Sequence, residues 1–427
     1  MRYSQTGYLI IVVMMLNSFL TRAQAKLSFK MVDSLSYALY ENKSWLALSQ
    51  LSDTIISAEM DYYYLRMRAG IANFELKKYR AAIPHFQKAL VFNLQDELSK
   101  EYLKYCYLYT NRNEEQNSSN NLLSNKKCPL QLQFIQLESG IKTTSDTAFK
   151  NAMLSNFSVQ HSFGKRGSLL HVINYYSQTE YRFKVSQLQY YLRWTYALKN
   201  NFKISLATHY IYDQDQYHLF ASPPPSQGGS DPTIILQGVG VPRGALTSTS
   251  VASYNYSSLS SISILKQTPW LDFNLGATVS FLENTNLYQV NTGACFYPLL
   301  NNELQFNLQA QAYRYDLSNQ NYFSFSPSIT SKIFNNFYVT VAYFQNSSKG
   351  INIIEQNGLL FNNSVDLTLN RTSIIAFYSL NKHWSLSYTA AFENKTHVNN
   401  TFEFIKFGKS NFNYAYYIYL IGLKYKF

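Results

Sequence analysis

Hydrophobic and polar residues alternate along much of the chain beyond residue 128. Residues 188–198, 271–281 and 384–392 each carry an apolar, aromatic-rich set at every second position, with small or polar residues between. Successive side chains of a strand point to opposite faces, so this period of two predicts β-strands. Each stretch is about ten residues long, the length with which a tilted strand crosses a bilayer, and aromatic residues near the ends suit the membrane interfaces.

Tight turns separate these stretches in a regular order. They lie near residues 164–167, 199–201, 266–269, 300–302, 334–336 and 381–383, with longer polar connections between them, the longest over residues 214–248. One strand on each side of every turn, plus strands at 130–143 and at the C-terminus, predicts 14 strands, with 12 to 16 as the range. Because strand edges find no water in lipid, we expect an all-β, antiparallel transmembrane barrel, with both ends on the short-turn side.

A different period precedes the barrel. In residues 26–113 the apolar positions recur at intervals of three and four, which predicts amphipathic helices. An offset of 34 residues superposes Ala38 on Ala72 and Trp45 on Tyr79. A fixed offset of this kind indicates a repeated helical unit.

The second copy, AGIANFELKKYRAAIPHFQKAL at residues 69–90, resembles the tetratricopeptide repeat (TPR) family. The resemblance implies paired helices with small residues where they cross and aromatic residues in the gaps between pairs. It assigns packing positions to Gly70, Ala72, Tyr79, Ala82, Phe86 and Ala89. We therefore expect a small all-α TPR-like domain before the barrel, completed by one more helix over residues 97–110.

The N-terminus is typical of a cleaved secretory signal. Arg2 precedes an apolar stretch at residues 9–16, and small residues follow up to Ala25. A non-cleaved anchor helix is the alternative. The predicted organisation is a signal peptide at 1–25, a helical domain at 26–113, an Asn- and Ser-rich linker at 114–128 and a barrel at 129–427.

The last strand carries a specific pattern. The chain ends YYIYLIGLKYKF, with Tyr419, Ile421, Leu423, Tyr425 and Phe427 on one face. This resembles the C-terminal strand of bacterial outer-membrane barrels. The resemblance implies that Leu423, Tyr425 and Phe427 form the signal read by the barrel-assembly machinery. A secreted β-sandwich or propeller, the competing all-β interpretation, does not explain this pattern.

Composition narrows the class further. Hydrophobic residues make up 46% of the chain but charged residues only 15%, with 37 Tyr and 29 Phe. The formal charge of +12 is spread along the chain, which disfavours nucleic-acid binding. The three cysteines are too few for a disulfide framework and lack metal-ligand spacing. A Cys106–Cys128 disulfide and free thiols remain alternatives.

Charged residues on the polar face of the strands are candidates for the lumen, where such groups tune which solutes pass. Solvation of the lumen, or pairing across it, is the alternative role for each of them. These lumen-lining candidates are Arg193, Lys203, His209, Asp272, Glu303, Glu393, Lys424 and Lys426.

Ser205, His209 and Asp213 share one strand face and are the residue types of a catalytic triad. A Ser-to-His separation of four strand residues is about 13 Å, whereas a nucleophile and its base need about 3 Å. The sequence also contains no phosphate-loop, metal-ligand or dinucleotide motif. We therefore predict no catalytic, cofactor-binding or metal-binding residues.

The layout of signal peptide, short TPR region and C-terminal barrel resembles the YaiO-type outer-membrane barrel family. It implies a cell outer-membrane barrel with its helical domain in the periplasm. The implied function is transport, secretion or envelope assembly, porin-like or in polysaccharide or protein export. An outer-membrane lipid or cell-wall hydrolase and a structural anchor for a periplasmic scaffold are the alternatives.

The partners expected from this reading are outer-membrane lipids, the barrel-assembly machinery and an unknown periplasmic protein or polymer bound by the TPR-like region. Nucleic acid is not expected. The richness in Asn, Lys, Tyr and Phe suits a Gram-negative source of the Bacteroidota type.

Overall fold

A computed structural model describes residues 28–116, 130–145, 150–179, 183–219, 249–282, 285–316, 320–347, 353–355, 360–362, 367–396 and 413–427. The predicted signal peptide, most of the predicted linker and Cys128 lie outside these residues. The chain divides into two compact units, Met1–Asn111 and Arg112–Phe427.

The first unit is helical. In the described residues it consists of α1 (Phe29–Glu41), α2 (Trp45–Ser57), α3 (Tyr63–Glu75), α4 (Tyr79–Phe92) and α5 (Glu97–Tyr109). Alternate helices begin 34 residues apart, at Phe29, Tyr63 and Glu97. The turns repeat as well, since Lys43, Lys77 and Asn111 all have positive φ angles, of 53°, 59° and 56°. No described helix is both long and apolar enough to span a membrane.

The second unit is a closed antiparallel barrel of 14 strands, as predicted. Its strands are β1 (Leu130–Thr144), β2 (Ala152–Phe163), β3 (Gly167–Thr179), β4 (Phe183–Ala197), β5 (Phe202–Leu219), β6 (Thr249–Gln267), β7 (Leu271–Phe281), β8 (Asn286–Phe296), β9 (Leu304–Tyr315), β10 (Tyr322–Phe334), β11 (Phe337–Asn346), β14 (Leu367–Ser379), β15 (Trp384–Thr396) and β16 (Asn413–Lys426). Pairing of β1 with β16 closes the barrel. The short strands β12 (Ile353–Glu355) and β13 (Leu360–Asn362) form a separate hairpin.

The connections follow the predicted order, with three differences. Each of the six predicted tight turns falls between two paired strands, but the turn predicted at 300–302 lies within a longer connection, 297–303. The predicted start of the longest connection at residue 214 is wrong, because β5 continues to Leu219 in register with β4 and β6. Backbone pairing satisfies this mainly polar stretch. The alternating apolar set of β5 gives way there to Gln214, Gln216 and His218, so the sequence does not indicate a strand. The connections at 180–182 and 282–285 are as short as the turns.

The barrel wall has an apolar outer face and a polar inner face. On β7, Phe273 and Leu275 are 47% and 46% exposed, whereas the alternating Asp272 and Thr278 are buried. Other strands also expose Leu, Ile, Phe and Tyr on the outer face and bury Ser, Thr, Asn and Gln on the inner face, where two apolar clusters, around Tyr191 and around Ile211, interrupt the polar wall. A water-soluble fold buries its apolar residues, so this inverted surface is that of a barrel in lipid.

Candidate functional site: the barrel lumen

The polar face of the wall forms the lumen, and strand alternation decides which side chains reach it. Exposed Leu206 and Tyr210 mark the outer face of β5, so Lys203 and His209 face inward. The same alternation turns Arg193 on β4, Asp272 on β7, Glu393 on β15, and Lys424 and Lys426 on β16 inward. Glu303 lies directly before β9, at the short-turn rim.

A charged cluster lies at this rim, around Lys203 near the start of β5. Its Nζ atom is 2.7 Å from Glu114 Oε2 and 2.9 Å from Glu115 Oε2. The Ser168 hydroxyl at the start of β3 donates to Glu114 Oε1 at 2.7 Å. Arg112 Nη1 donates to Asn201 Oδ1 in the β4–β5 turn at 3.4 Å. The segment 112–116, which includes a helical turn at 113–116, therefore lies against the inner wall at the short-turn mouth.

Glu114 is ionised in this position. Burial raises the pKa of its carboxyl, but the Lys203 ammonium and the hydrogen bonds from Lys203 and Ser168 outweigh burial and hold the pKa below its ordinary value. Glu114, Lys203 and Ser168 are all less than 10% exposed. Removing one charge from such a buried pair leaves the other without compensation, so each partner depends on the other.

The sequence predicts that Glu114 and Glu115 lie in a linker and does not predict their ion pairs with Lys203. Their only local signal is a pair of adjacent carboxylates in a stretch otherwise rich in Asn and Ser. Their partner Lys203 lies 89 residues from Glu114 along the chain. Only closure of the barrel brings the two together.

A second charged cluster surrounds Glu393, toward the long-connection end. Lys142 Nζ on β1 lies 3.1 Å from Glu393 Oε2, and Lys395 Nζ lies 4.0 Å from the same oxygen. Thr368 on β14 donates its hydroxyl to Glu393 Oε1 at 3.3 Å. Lys142 also lies 4.0 Å above the Tyr416 ring centroid. This cluster ties β1, β14, β15 and β16 together across the inner wall, beside the seam that closes the barrel.

The remaining predicted lumen residues have separate surroundings. Asp272 Oδ2 accepts from the Tyr297 hydroxyl at 3.0 Å, and Glu303 pairs with Lys332 on β10 at 2.8 Å. The Lys424 ammonium lies 3.7 Å from the centroid of the Phe134 ring. These groups are spread around the short-turn half of the wall and do not converge.

Ser205, His209 and Asp213 also keep separate partners on the inner face of β5. The Ser205 hydroxyl is 3.0 Å from that of Thr195, and His209 packs edge-on to the Tyr191 ring at 5.6 Å. Asp213 accepts a hydrogen bond from Gln187. No cluster of three metal-ligating side chains lies within the part of the chain that the structure describes.

The predicted packing residues of the helical unit lie in its core. Ala72, Ala82, Phe86 and Ala89 are fully buried. Gly70 lies against Phe86 so closely that a Cβ atom there would come within 2.6 Å of the ring. The Tyr79 ring packs between Phe74 and Tyr109, at centroid distances of 5.2 and 4.6 Å.

The predicted C-terminal signal residues lie on the outer face of β16. Leu423 and Phe427 are 41% and 60% exposed, and the Tyr425 ring lies 4.8 Å from both Trp384 and Phe427. The Phe427 amide donates to the Gln133 carbonyl at 3.1 Å. This hydrogen bond adds one more contact between Phe427 and β1, next to Phe134 and Lys426, where the pairing of β1 with β16 begins.

Fold and lumen together define a class, the transmembrane β-barrel.

No protein-family model matches the sequence, and no curated protein matches it. Among solved structures, the chain is similar to the CymD monoaromatic hydrocarbon channel, with 8% identity over 74% of this chain and 92% of that one, at a TM-score of 0.42. It is similar to a FadL homologue of Pseudomonas aeruginosa, with 11% identity over 70% and 90% of the chains and a TM-score of 0.37. It is also similar to the outer membrane protein Omp33 of Acinetobacter baumannii, with 6% identity over 69% and 99% and a TM-score of 0.36.

Proposed function

We propose that this protein is an outer-membrane transport barrel. The observation that carries the proposal is the closed wall of 14 strands with an apolar outer face and a polar, charged inner face. Hydroxyl and amide groups line the inner faces of β6 to β11, including Ser263, Thr278, Asn291, Gln311 and Ser324. The inner wall therefore suits water and polar solutes.

The location follows from the same surfaces. Closed barrels of this kind span the outer membrane of Gram-negative bacteria, and both ends of the barrel lie at its short-turn rim, which faces the periplasm in such proteins. The proposal therefore puts the helical unit in the periplasm, as the resemblance to YaiO-type barrels implies. The outward Leu423, Tyr425 and Phe427 would be read by the assembly machinery before the barrel closes.

The helical unit is proposed to be a TPR-like docking module for a periplasmic protein or polymer. Its support is the 34-residue spacing of helix starts and of the turn residues with positive φ. Stacked helical hairpins present a surface for partners and no reactive group. Partner binding and transport would then be functions of separate units in one chain.

Conductance tests the transport function directly. Purified full-length protein in planar bilayers is expected to produce discrete current steps, and detergent without protein should produce none. A barrel that stays sealed at every voltage and salt concentration would contradict the proposal. Affinity capture with the detergent-solubilised full-length protein as bait would then test for a periplasmic partner.

A further inference from the structure

We infer that residues 112–116 are a gate, held across part of the short-turn mouth by the Glu114–Lys203 and Glu115–Lys203 ion pairs. The inference rests on the proposed transport function and names how that lumen is regulated. Release of this segment from Lys203 would widen the path through the barrel.

The first support is the position of the segment. Its carboxylates reach Ser168 and Lys203, which face inward at the beginnings of β3 and β5. The segment therefore crosses the inner side of β3 to β5 at the rim, within the opening. A chain that only connected two domains could pass outside the rim and leave the lumen clear.

The second support is the kind of contact. Two carboxylates converge on one ammonium, and the described contacts of the segment with the wall are polar. Ion pairs can be exchanged for water or for a charged ligand when the segment leaves, so this contact suits a reversible closure.

The third support is connectivity. Only Thr110 and Asn111 separate the end of α5 from Arg112, so the gate continues directly from the helical unit. Residue 112 begins the compact unit that contains the barrel. A displacement of α5 on partner binding would therefore pull on the gate through a connection of two residues. Binding of a partner to the helices would then be the signal that opens the lumen.

The matched variants change charge with little change in size. Glu114→Gln combined with Glu115→Gln removes the attraction from the segment side, and Lys203→Gln removes it from the wall. Glu303→Gln is the control for cleavage, because Glu303 forms a more exposed ion pair with Lys332 at the same rim without involving the segment. Heat-modifiable electrophoretic mobility confirms that each barrel has folded.

Two measurements on the full chain separate the gate from the transport function. The first is cleavage by an arginine-specific protease after Arg112, which is 1% exposed in the closed arrangement, followed by mass spectrometry. The second is open probability in planar bilayers. We expect both to rise about tenfold or more in the double variant and in Lys203→Gln, because a buried charge-assisted contact is lost, and we expect cleavage to stay at the wild-type level in Glu303→Gln.

Each of the other possible results contradicts either the gate or the transport function. Conducting wild-type protein whose open probability is unchanged in both variants would overturn the gate and leave the transport function standing. Unchanged cleavage at Arg112 would also overturn the gate. Faster cleavage without conductance in any variant would overturn the transport function and the gate with it. An equal rise in cleavage in Glu303→Gln would show a general loosening of the rim and would likewise overturn the gate.

Discussion

Gly70 and Phe86 show how single residues set the packing of the helical unit. The Phe86 ring is fully buried against the backbone of α3 at Gly70. A glycine is required there by close approach of the two helices, which leaves no room for a Cβ atom. The resemblance to the TPR family assigns a packing position to each of these residues, and the structure shows that they contact each other.

We therefore expect Gly70→Ala to destabilise the helical unit by about 1–3 kcal/mol through overpacking. Chemical denaturation of the full-length protein in detergent, followed by helical circular dichroism, measures the change. The double variant Gly70→Ala with Phe86→Leu should recover part of the loss, since the smaller side chain vacates the space. Additive losses in the double variant would show that the two residues do not share this contact.

His85 makes the helical unit sensitive to acid. Burial lowers the pKa of His85 to about 4, helped by the nearby Arg66 guanidinium and opposed by Asp61. Between pH 6.5 and about 4 the unfolded chain binds a proton that the folded unit does not, so stability falls as the pH falls through this window. Above pH 6.5, the pKa of His85 in the unfolded chain, burial of the neutral imidazole carries no such cost.

The stability of the helical unit should therefore fall between pH 7 and pH 4, by on the order of 3 kcal/mol from this histidine. Hydrogen exchange of the amides of α3 and α4 at several pH values measures it in the full chain. His85→Gln should flatten this dependence. A slope that persists unchanged in the variant would assign the acid sensitivity to other groups.

At the scale of elements, the seam between β1 and β16 decides whether the barrel closes. These strands are the first and last of the barrel, and they pair from Phe134–Lys426 to Thr144–Tyr416. A Cβ atom at Gly140 would overlap the Tyr419 carbonyl oxygen and approach the Leu420 Cα atom to 2.8 Å. Both are backbone atoms of β16, which cannot rotate away as the end of a side chain could.

We expect Gly140→Val to block closure and strongly lower the yield of folded barrel. Refolding into detergent, followed by heat-modifiable mobility, measures that yield. Ser139→Val is the matched control, since Ser139 is exposed on the neighbouring, outward position of the same strand. Equal losses in the two variants would mean that β-branched residues, and not the seam, cause the defect.

The strand pattern was predictable at this scale because alternation is a local property. Strand number, turn positions and the faces of β7, β15 and β16 follow from residues two apart, and the structure repeats them. The sequence does not predict the extension of β5 to Leu219, because the alternating apolar set that includes Tyr210 and Tyr212 gives way to Gln214, Gln216 and His218. That stretch is a strand because its backbone pairs with β4 and β6, and not because of its local sequence pattern.

At the scale of the whole molecule, the apolar outer band requires lipid or detergent. Leu308 in the middle of β9 is 53% exposed on the outer face, whereas Asn307 beside it faces inward and lies 3.4 Å from the Ser328 hydroxyl. A lysine that faces hydrocarbon near the middle of a barrel costs about 2–4 kcal/mol, and a lysine in a polar lumen keeps its water.

Leu308→Lys should therefore lower the free energy of unfolding in liposomes by about 2–4 kcal/mol, and Asn307→Lys by much less. Urea titration of the barrel refolded into liposomes measures both. A reversed order would place the polar face toward lipid. Wild-type protein that stays monodisperse without detergent would contradict membrane residence altogether.

The sequence by itself determined the architecture: the number of strands, their two faces, the turns, and the helical repeat before them. These follow from local periodicity, since side-chain direction depends only on position along a strand or helix. The tertiary structure decided which charges meet. Lys142 reaches Glu393 across 251 positions, and Glu114 reaches Lys203 across 89, because closing a tilted sheet brings distant strands to one inner wall. No local pattern carries that information, since it depends on how the strands are staggered when the sheet closes.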